Sequence, residues 1–228
     1  MKTRSKSARS PGRPAANRKS DAREHLLNAA TELFATQGVA ATTFAMIAKR
    51  AGLTPAMLHY YFKDRDQLLD AVVGERLLRL VSHVWNPVEV GADAAESIRG
   101  IVERLLEGIE KMPWIPSTWM REVLNEDGLL RERMLRHLPY PKVQSLAESI
   151  ASGQKRKSLN PELDPLLTVF STLGLVMLHM ASVKVWSQAF HREPLSRRSI
   201  QRHVTGLLLD GLRHVKAEKS AKSPKKKQ

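Results

Sequence analysis

The stretch TFAMIAKRAGLTPAMLHYYF, residues 43–62, decides the fold of the N-terminal third of the chain. Thr43 precedes a short amphipathic run and is a good N-cap, because its hydroxyl can accept a hydrogen bond from an amide of the first helical turn. Gly52 follows, and glycine tolerates the positive φ that a sharp turn often needs. Thr54 then caps a second helix with Pro55 at its first position. The spacing predicts two short helices joined by a tight turn.

Leu58 and Phe62 of the second helix are four residues apart, so they share one face and are predicted to point inward. The residues left outward are Thr54, Pro55, Ala56, Met57, His59 and Tyr60. A helix-turn-helix presents such residues to the major groove of DNA. An ordinary helical hairpin is the competing interpretation. The exposed series of large side chains followed by Lys63 favours DNA binding.

Helical spacing recurs along the rest of the chain, and no strand-like alternation is present. A first helix is predicted from Asp21, as its cap, to Gly38, and a fourth from Asp64 to Asn86. The last two are predicted over Pro161–Phe190 and Ser196–Lys216. We therefore expect an all-α protein of about nine or ten helices, with an N-terminal three-helix helix-turn-helix domain and a C-terminal helical bundle.

The N-terminal third resembles the TetR family of bacterial transcriptional regulators. The motifs that carry the resemblance are LNAATELF at 27–34, Gly38, Thr42-Thr43, IAKRAGL at 47–53, LHYYFK at 58–63 and Leu68-Leu69. The resemblance implies an all-α homodimer. Each subunit would have a DNA-binding domain and a larger domain for ligand binding and dimerisation.

The family pattern also implies roles for individual residues. It implies phosphate contacts from Thr43, Tyr60, Lys63 and Arg65, and base or backbone contacts from Thr54, Pro55, Ala56, Met57 and His59. The sequence departs from the pattern at Ala56, where family members often have glycine, and at His59, where they often have an aromatic residue. These departures leave the preferred DNA sequence undetermined.

The formal net charge of +14 is concentrated at the two ends of the chain. Residues 1–19 carry seven basic side chains and no acid, and residues 216–228 carry six lysines against Glu218, so the remainder has a net charge of only +2. We expect a flexible basic arm at 1–19, a DNA-binding domain at 20–66, a C-terminal domain at 67–215 and a flexible basic tail at 216–228. Pro11–Pro14 resembles part of an AT-hook. A minor-groove arm and a solvated leader are both open interpretations.

The C-terminal domain contains a set of large, soft side chains that would line a ligand cavity in this family: Met112, Trp114, Trp119, Met120, Met134, His137, Met177 and Met180, with Tyr140, His179 and Trp186 as further members. Ordinary core packing is the competing interpretation for each of them. Arg121 and Glu122 are expected at a solvated edge, with a buried pair or a contact to ligand as the alternative interpretations.

The last two predicted helices supply apolar residues for a four-helix dimer interface: Leu166, Leu167, Phe170, Leu173, Met177, Val204, Leu207, Leu208 and Leu212. The 18 residues from Leu166 to Val183 carry no formal charge, which is the lower limit of a membrane-spanning length. Their polar residues favour a buried helix instead, so no membrane partner is expected.

These observations favour a ligand-responsive regulator, in particular a repressor that binds a palindromic double-stranded DNA operator as a homodimer and is released by a small-molecule effector. A weakly specific architectural DNA-binding protein that acts through its basic tails is the alternative. No catalytic or dinucleotide fingerprint is present and there is no cysteine, so neither an enzyme nor a cofactor or metal site is expected. The expected location is the cytoplasm, at the nucleoid.

Overall fold

The computed structural model describes residues 15–213, with side chains from Asp21 onward. The predicted tail at 216–228, the partial AT-hook and the first 14 residues of the predicted arm lie outside the described residues. The last five residues of that arm are helical, because the first helix begins at Ala15 and not at Asp21. Asp21 thus lies within the helix and is not its N-cap. The preceding AANRKS segment is composed mainly of residues that a helix accommodates well.

The described residues form helices joined by short loops. Their bounds are α1 Ala15–Gln37, α2 Phe44–Ala51, α3 Pro55–Tyr61, α4 Arg65–Val72, α5 Leu78–Trp85, α6 Ala94–Lys111, α7 Ile115–Thr118, α8 Arg131–Leu135, α9 Tyr140–Lys155, α10 Pro165–Ala189 and α11 Arg197–Leu212. Two π-helical turns occur, π1 at Val73–Leu77 and π2 at Trp119–Val123. Because π1 joins α4 to α5 without a break, residues 15–213 contain ten helices and no strand. The all-α prediction is confirmed.

The described chain divides into two compact units between Arg76 and Leu77. The sequence boundary was expected at residues 66/67, but the first half of the helical run that begins at Arg65 packs with the N-terminal unit. Leu68, Leu69 and Val72 of α4 are buried there.

The N-terminal unit is held by the apolar faces of α1, α2 and α3. Their fully buried members are Leu26, Leu27, Phe34, Ile47, Leu58 and Phe62. Leu58 and Phe62 are therefore inward, as the spacing predicted. This core fixes the direction in which the opposite face of α3 points.

In the C-terminal unit, α6 packs against α5, α9, α10 and α11. Its apolar side chains recur at helical spacing, with Ile98, Ile101, Leu105 and Ile109 buried. Gly108 allows a close approach of α5, since a Cβ at this position would lie 2.1 Å from Cδ1 of Leu80. The helix α6 is the centre of this unit.

Helix α10 begins later than predicted, at Pro165, because the side chain of Asp164 accepts a hydrogen bond from the amide of Leu167 at 2.7 Å. Within the described residues it is the one helix long and apolar enough to cross a membrane. Only 28% of its most apolar window is buried in the subunit. The predicted buried helix is therefore covered only in part within one subunit, and α10 leaves a large apolar surface exposed.

Candidate functional site

The local geometry of the helix-turn-helix follows from its capping residues. The hydroxyl oxygen of Thr43 accepts a hydrogen bond from the Met46 amide, and that of Thr54 accepts one from the Met57 amide, both at 3.3 Å. Between them Gly52 has a φ of 70°, in the left-handed region. Both caps and the glycine turn are confirmed. The first turn of α3 is therefore fixed by its own sequence.

The outward face of α3 is exposed along its whole length. Thr54, Pro55, Ala56, Met57, His59 and Tyr60 are all exposed, whereas Leu58 is fully buried. Thr43 and Lys63 are exposed as well. The structure thus brings eight of the nine predicted DNA-contact residues to the surface of one small unit.

Two of these side chains are oriented by neighbouring rings. The ring of His59 lies 5.1 Å from that of Phe44 in α2, and Tyr60 meets Tyr61 edge-on at the same centroid distance. Such tilted and edge-on contacts are favourable arrangements of aromatic rings. Phe44 consequently helps to position His59, a role that its sequence position did not reveal.

Arg65 is the predicted contact that the structure uses differently. Its side chain is half-buried, and Nη1 donates to the carbonyl oxygen of Thr42 at 3.0 Å while Nη2 donates to that of Val39. These bonds hold the turn that leads into Thr43. Arg65 therefore supports the position of a predicted phosphate ligand, with three of its five N–H donors left over.

The cations of the N-terminal unit are mostly engaged within the unit. Arg50 binds Glu32 with an Nη2–Oε2 distance of 2.7 Å, and Arg23 binds Glu75 through both carboxylate oxygens. The hydrogen bonds that Arg23 donates to Glu75 raise the pKa of Arg23 above its ordinary value. Among the lysines and arginines of residues 21–65, Lys49 and Lys63 are those whose side chains make neither an ion pair nor a hydrogen bond in the described part of the chain.

Arg76 is a further charged residue with a structural role. Its side chain is buried, and Nη2 lies 2.7 Å from Oε1 of Glu24 and 3.1 Å from Oδ1 of Asn28. Both partners lie on α1. This ion pair ties the π1 turn to the first helix.

The C-terminal unit contains a cavity of about 810 Å³ between α5, α6, α8, α9, α10 and π2. This volume is within the range of roughly 300–1,000 Å³ that is usual for small-molecule sites. Most of its wall is apolar. Its aromatic members are Trp85, Trp119, Tyr140 and Phe170.

The predicted pocket residues divide into two groups. Trp119, Met134 and Met177, together with Tyr140, line the cavity. The others do not: Met112, Trp114, Met120, His137 and Met180, and also His179 and Trp186. His137 and Met120 are exposed, and His179 instead bonds the Leu175 carbonyl through Nδ1 at 2.6 Å. The large, soft side chains in the sequence predicted that a cavity is present, but not which helix faces border it.

Sequence reasoning missed several lining residues. Trp85 was assigned to the end of a connecting helix, and Arg131 and Gln144 were not singled out at all. Leu166, Phe170 and Leu173, which were predicted at a dimer interface, also border the cavity, and Leu166 and Phe170 stay exposed in the single subunit. These three residues and Met177 recur at a spacing of three or four residues, so they lie on one side of a helix. This spacing was the signal in the sequence that could have indicated a shared cavity wall.

Glu122 is not at a solvated edge. It is buried, and its Oε2 accepts a hydrogen bond from the Leu129 amide at 3.3 Å, whereas Arg121 is exposed as expected. The carboxylate therefore organises the loop that precedes α8. Gly128 in this loop passes the Glu122 carbonyl so closely that an added Cβ would lie 2.3 Å from its oxygen.

The predicted interface residues also need correction. Val204, Leu208 and Leu212 are buried inside the subunit and are not available to an interface, whereas Leu166, Leu167, Phe170 and Leu207 are each at least 40% exposed. Further exposed apolar residues occur on the outer side of α10: Leu178, Val185 and Trp186. This outer face, with Leu167 and Leu207, is an apolar surface of α10 and α11.

Comparison with known proteins places these features in context. The pattern of the family described as bacterial regulatory proteins, tetR family, matches residues 26–72. The transcriptional regulator AcrR of Shigella flexneri is 29% identical over 144 residues, which cover 61% of this chain and 57% of that protein. The regulator BetI of Stenotrophomonas maltophilia is 35% identical over 82 residues, covering 36% and 42%. The chain thus spans about half the length of these relatives.

Solved structures show the same fold. The ketosteroid transcriptional regulator KstR2 of Mycobacterium tuberculosis superposes with a TM-score of 0.67 at 19% identity, covering 90% of this chain and 99% of that one. The helix-turn-helix pattern of this chain thus agrees with the sequence relatives, and its helical fold agrees with the solved structures. The relatives are regulators and not enzymes. Residues 26–72 thus match the tetR family of bacterial regulatory proteins, and the chain resembles regulators of this family in sequence and in fold.

Proposed function

We propose that this protein is a DNA-binding transcriptional regulator, and specifically a repressor that binds a palindromic operator as a homodimer and leaves it when a small-molecule effector binds. The observation that carries the proposal is the exposed outward face of α3, on a unit whose caps and core fix the direction of that face. A recognition helix presents its N-terminal residues to base edges in this manner. The expected place of action is the cytoplasm, on DNA of the nucleoid.

Within the DNA-binding unit, we assign base or backbone contacts to Thr54, Pro55, Ala56, Met57 and His59. Phosphate contacts are assigned to Thr43, Tyr60 and Lys63. Lys63 is the natural phosphate ligand, because it is exposed and its ammonium has no ion-pair partner among the described residues. Arg65 acts on the backbone that leads into Thr43, and its remaining donors can reach a phosphate only from that fixed position.

Dimerisation through α10 and α11 follows from the uncovered apolar face. Leu167, Leu178, Val185 and Trp186 of α10 and Leu207 of α11 are each at least half exposed, and extensive exposed apolar surface is typical of a protein interface. A second copy of the chain would cover it in a four-helix arrangement, by analogy with helical bundles. Two recognition helices would then occupy successive major grooves, roughly 34 Å apart.

Effector release requires that ligand and DNA prefer different states of the protein. The cavity offers a place for the ligand. The run from Arg65 to Trp85 offers a covalent route for coupling, since Leu68 and Leu69 are buried in the N-terminal unit while Leu80 and Val84 border the cavity. The π1 turn interrupts the α-helical hydrogen bonding of this run, and such turns are frequent at functional sites.

The proposal is tested by selecting DNA that the full-length protein binds from a random pool. The affinity for the selected duplex and for a random duplex is then measured at several salt concentrations. A regulator should prefer the selected site by a factor of about 10³ or more. A ratio near one would support the alternative, an architectural protein led by its basic tails.

Variants then separate the two kinds of contact. Lys63→Ala should weaken binding to the selected and the random duplex by similar factors. It should also reduce the slope of log affinity against log salt concentration by about one. Met57→Ala should change the ratio between the two duplexes. Arg79→Ala, which removes an exposed cation from α5, is the matched control and should change neither quantity. Equal effects of Arg79→Ala and Lys63→Ala would contradict the assignment.

A further inference from the structure

The cavity wall has one charged residue among its lining side chains, Arg131. Besides the indole N–H groups of Trp85 and Trp119, the wall has two neutral polar side chains, and both are already engaged. The Tyr140 hydroxyl donates to the Leu135 carbonyl at 3.0 Å, and the Gln144 amide donates to Oε1 of Glu148 at 3.2 Å. Arg131 is thus the charged side chain of the cavity, and it makes no ion pair or side-chain hydrogen bond within residues 21–213.

Arg131 begins α8, and its side chain is half-buried at the cavity. No carboxylate of the described residues lies within ion-pair distance of it. Its near neighbour on the same helix behaves differently, since Nη1 of Arg133 donates to the Leu129 carbonyl at 3.2 Å. A guanidinium at an apolar wall is costly to desolvate unless an anion pairs with it.

We infer that the effector is a small molecule with an extended apolar body and a single terminal carboxylate, which Arg131 binds. This inference rests on the proposed function, because it names the ligand class of the proposed regulator. Trp85, Trp119 and Phe170 would contact the apolar body. The carboxylate would accept two parallel hydrogen bonds from the guanidinium, the geometry that this group favours.

Charge counting selects a carboxylate over a phosphate monoester. A phosphate monoester carries close to two negative charges at neutral pH. The cavity lining supplies one positive charge, so a second negative charge would remain unpaired. A cationic ligand would be repelled by Arg131, and a neutral one would leave the guanidinium without a counterion.

Calorimetric binding to full-length protein, without DNA, tests the inference. The probes share a twelve-carbon chain and differ in the terminal group: dodecanoate, dodecyl phosphate, dodecanol and dodecyltrimethylammonium, all below their aggregation concentrations. Dodecanoate should bind about 10- to 100-fold more tightly than dodecanol, the range expected for hydrogen bonds to charged groups. The affinity for dodecanoate should also exceed the affinities for dodecyl phosphate and dodecyltrimethylammonium.

Two variants assign the preference to Arg131. Arg131→Gln should bind dodecanoate and dodecanol equally, while its retained dodecanol binding shows that the cavity is intact. Arg136→Gln removes an exposed arginine of the same segment that does not border the cavity, and it should keep the full preference. Dodecanol or the phosphate binding as tightly as dodecanoate, or a preference that survives in Arg131→Gln, overturns the inference. Loss of DNA selectivity with intact dodecanoate binding would refute only the regulator proposal.

Discussion

Arg23 and Glu75 form a two-pronged ion pair, with an Nη1–Oε2 distance of 2.6 Å and an Nη2–Oε1 distance of 2.5 Å. The same guanidinium lies over the ring of Phe62, 5.1 Å from its centroid, at the C-terminal end of α3. One side chain of α1 thus contacts both the C-cap of α3 and the π1 turn. Neither α3 nor π1 can move relative to α1 without disturbing Arg23.

Glu75→Gln should lower the free energy of unfolding by about 0.5–1 kcal/mol, because both partners are about one-third exposed and solvent screens the pair. Urea denaturation followed by circular dichroism measures the change. The comparison variant is Glu32→Gln, which removes the more exposed pair with Arg50 and should have a smaller effect. A larger loss from Glu32→Gln would show that the Arg23 pair contributes little.

Gly52→Ala tests the turn of the helix-turn-helix. The φ of 70° costs an L-residue about 1 kcal/mol or more, although no atom lies within 4 Å of the added Cβ. The thermal midpoint should therefore fall for conformational reasons alone. Gly74→Ala is the matched control, since it also has open space but no positive φ, and it should not destabilise the protein. Equal midpoints for the two variants would argue against strain at Gly52.

The carboxylate of Glu107 offers a test by titration. A hydrogen bond and charge attraction from Lys111 lower the pKa of Glu107, with His83 adding a smaller effect. The stabilisation is present above the ordinary pKa of a glutamate and is lost as pH falls through the lowered value. Lys111→Met should shift the Glu107 pKa upward in a carboxyl-carbon NMR titration. Lys155→Met on α9 should leave it unchanged, and an unshifted pKa in Lys111→Met would exclude the pairing.

Leu178→Glu should produce monomers at concentrations where the unaltered protein is dimeric, because it places a charge in the apolar outer face of α10. Sedimentation velocity measures the association state, and circular dichroism verifies the helical content. Val90→Glu puts the same charge at a highly exposed apolar residue away from α10 and should leave the association unchanged. A dimeric Leu178→Glu protein would move the interface elsewhere.

The helix-turn-helix was predictable from sequence because its determinants act within one helical turn. Thr43, Gly52 and Thr54 each set the geometry of residues no more than three or four positions away. The role of Arg65 was not predictable in this way. Its partners, the carbonyls of Val39 and Thr42, are 26 and 23 residues distant in sequence and are met only through folding.

The cavity illustrates a second limit. Trp119 and Met120 are adjacent and chemically similar for packing, yet one borders the cavity and the other is exposed. Both lie in π2, where the number of residues per turn differs from that of an α-helix, so helical periodicity assigns faces incorrectly. Glu122 in the same turn is buried for the same reason. The residue types predicted a cavity, but tertiary packing determines which side chains line it.

Helix α10 carries two apolar sides with different neighbours. With about 100° per residue, Leu166, Phe170, Leu173 and Met177 lie roughly a quarter turn from Leu167, Leu178 and Val185. If α10 rotates about its axis as a rigid body, both of these sides move together. Filling the cavity and re-aligning a neighbouring copy of the chain would then share a single degree of freedom. A covalent cross-link across the outer side of α10 should accordingly stiffen the cavity against ligands that it otherwise admits.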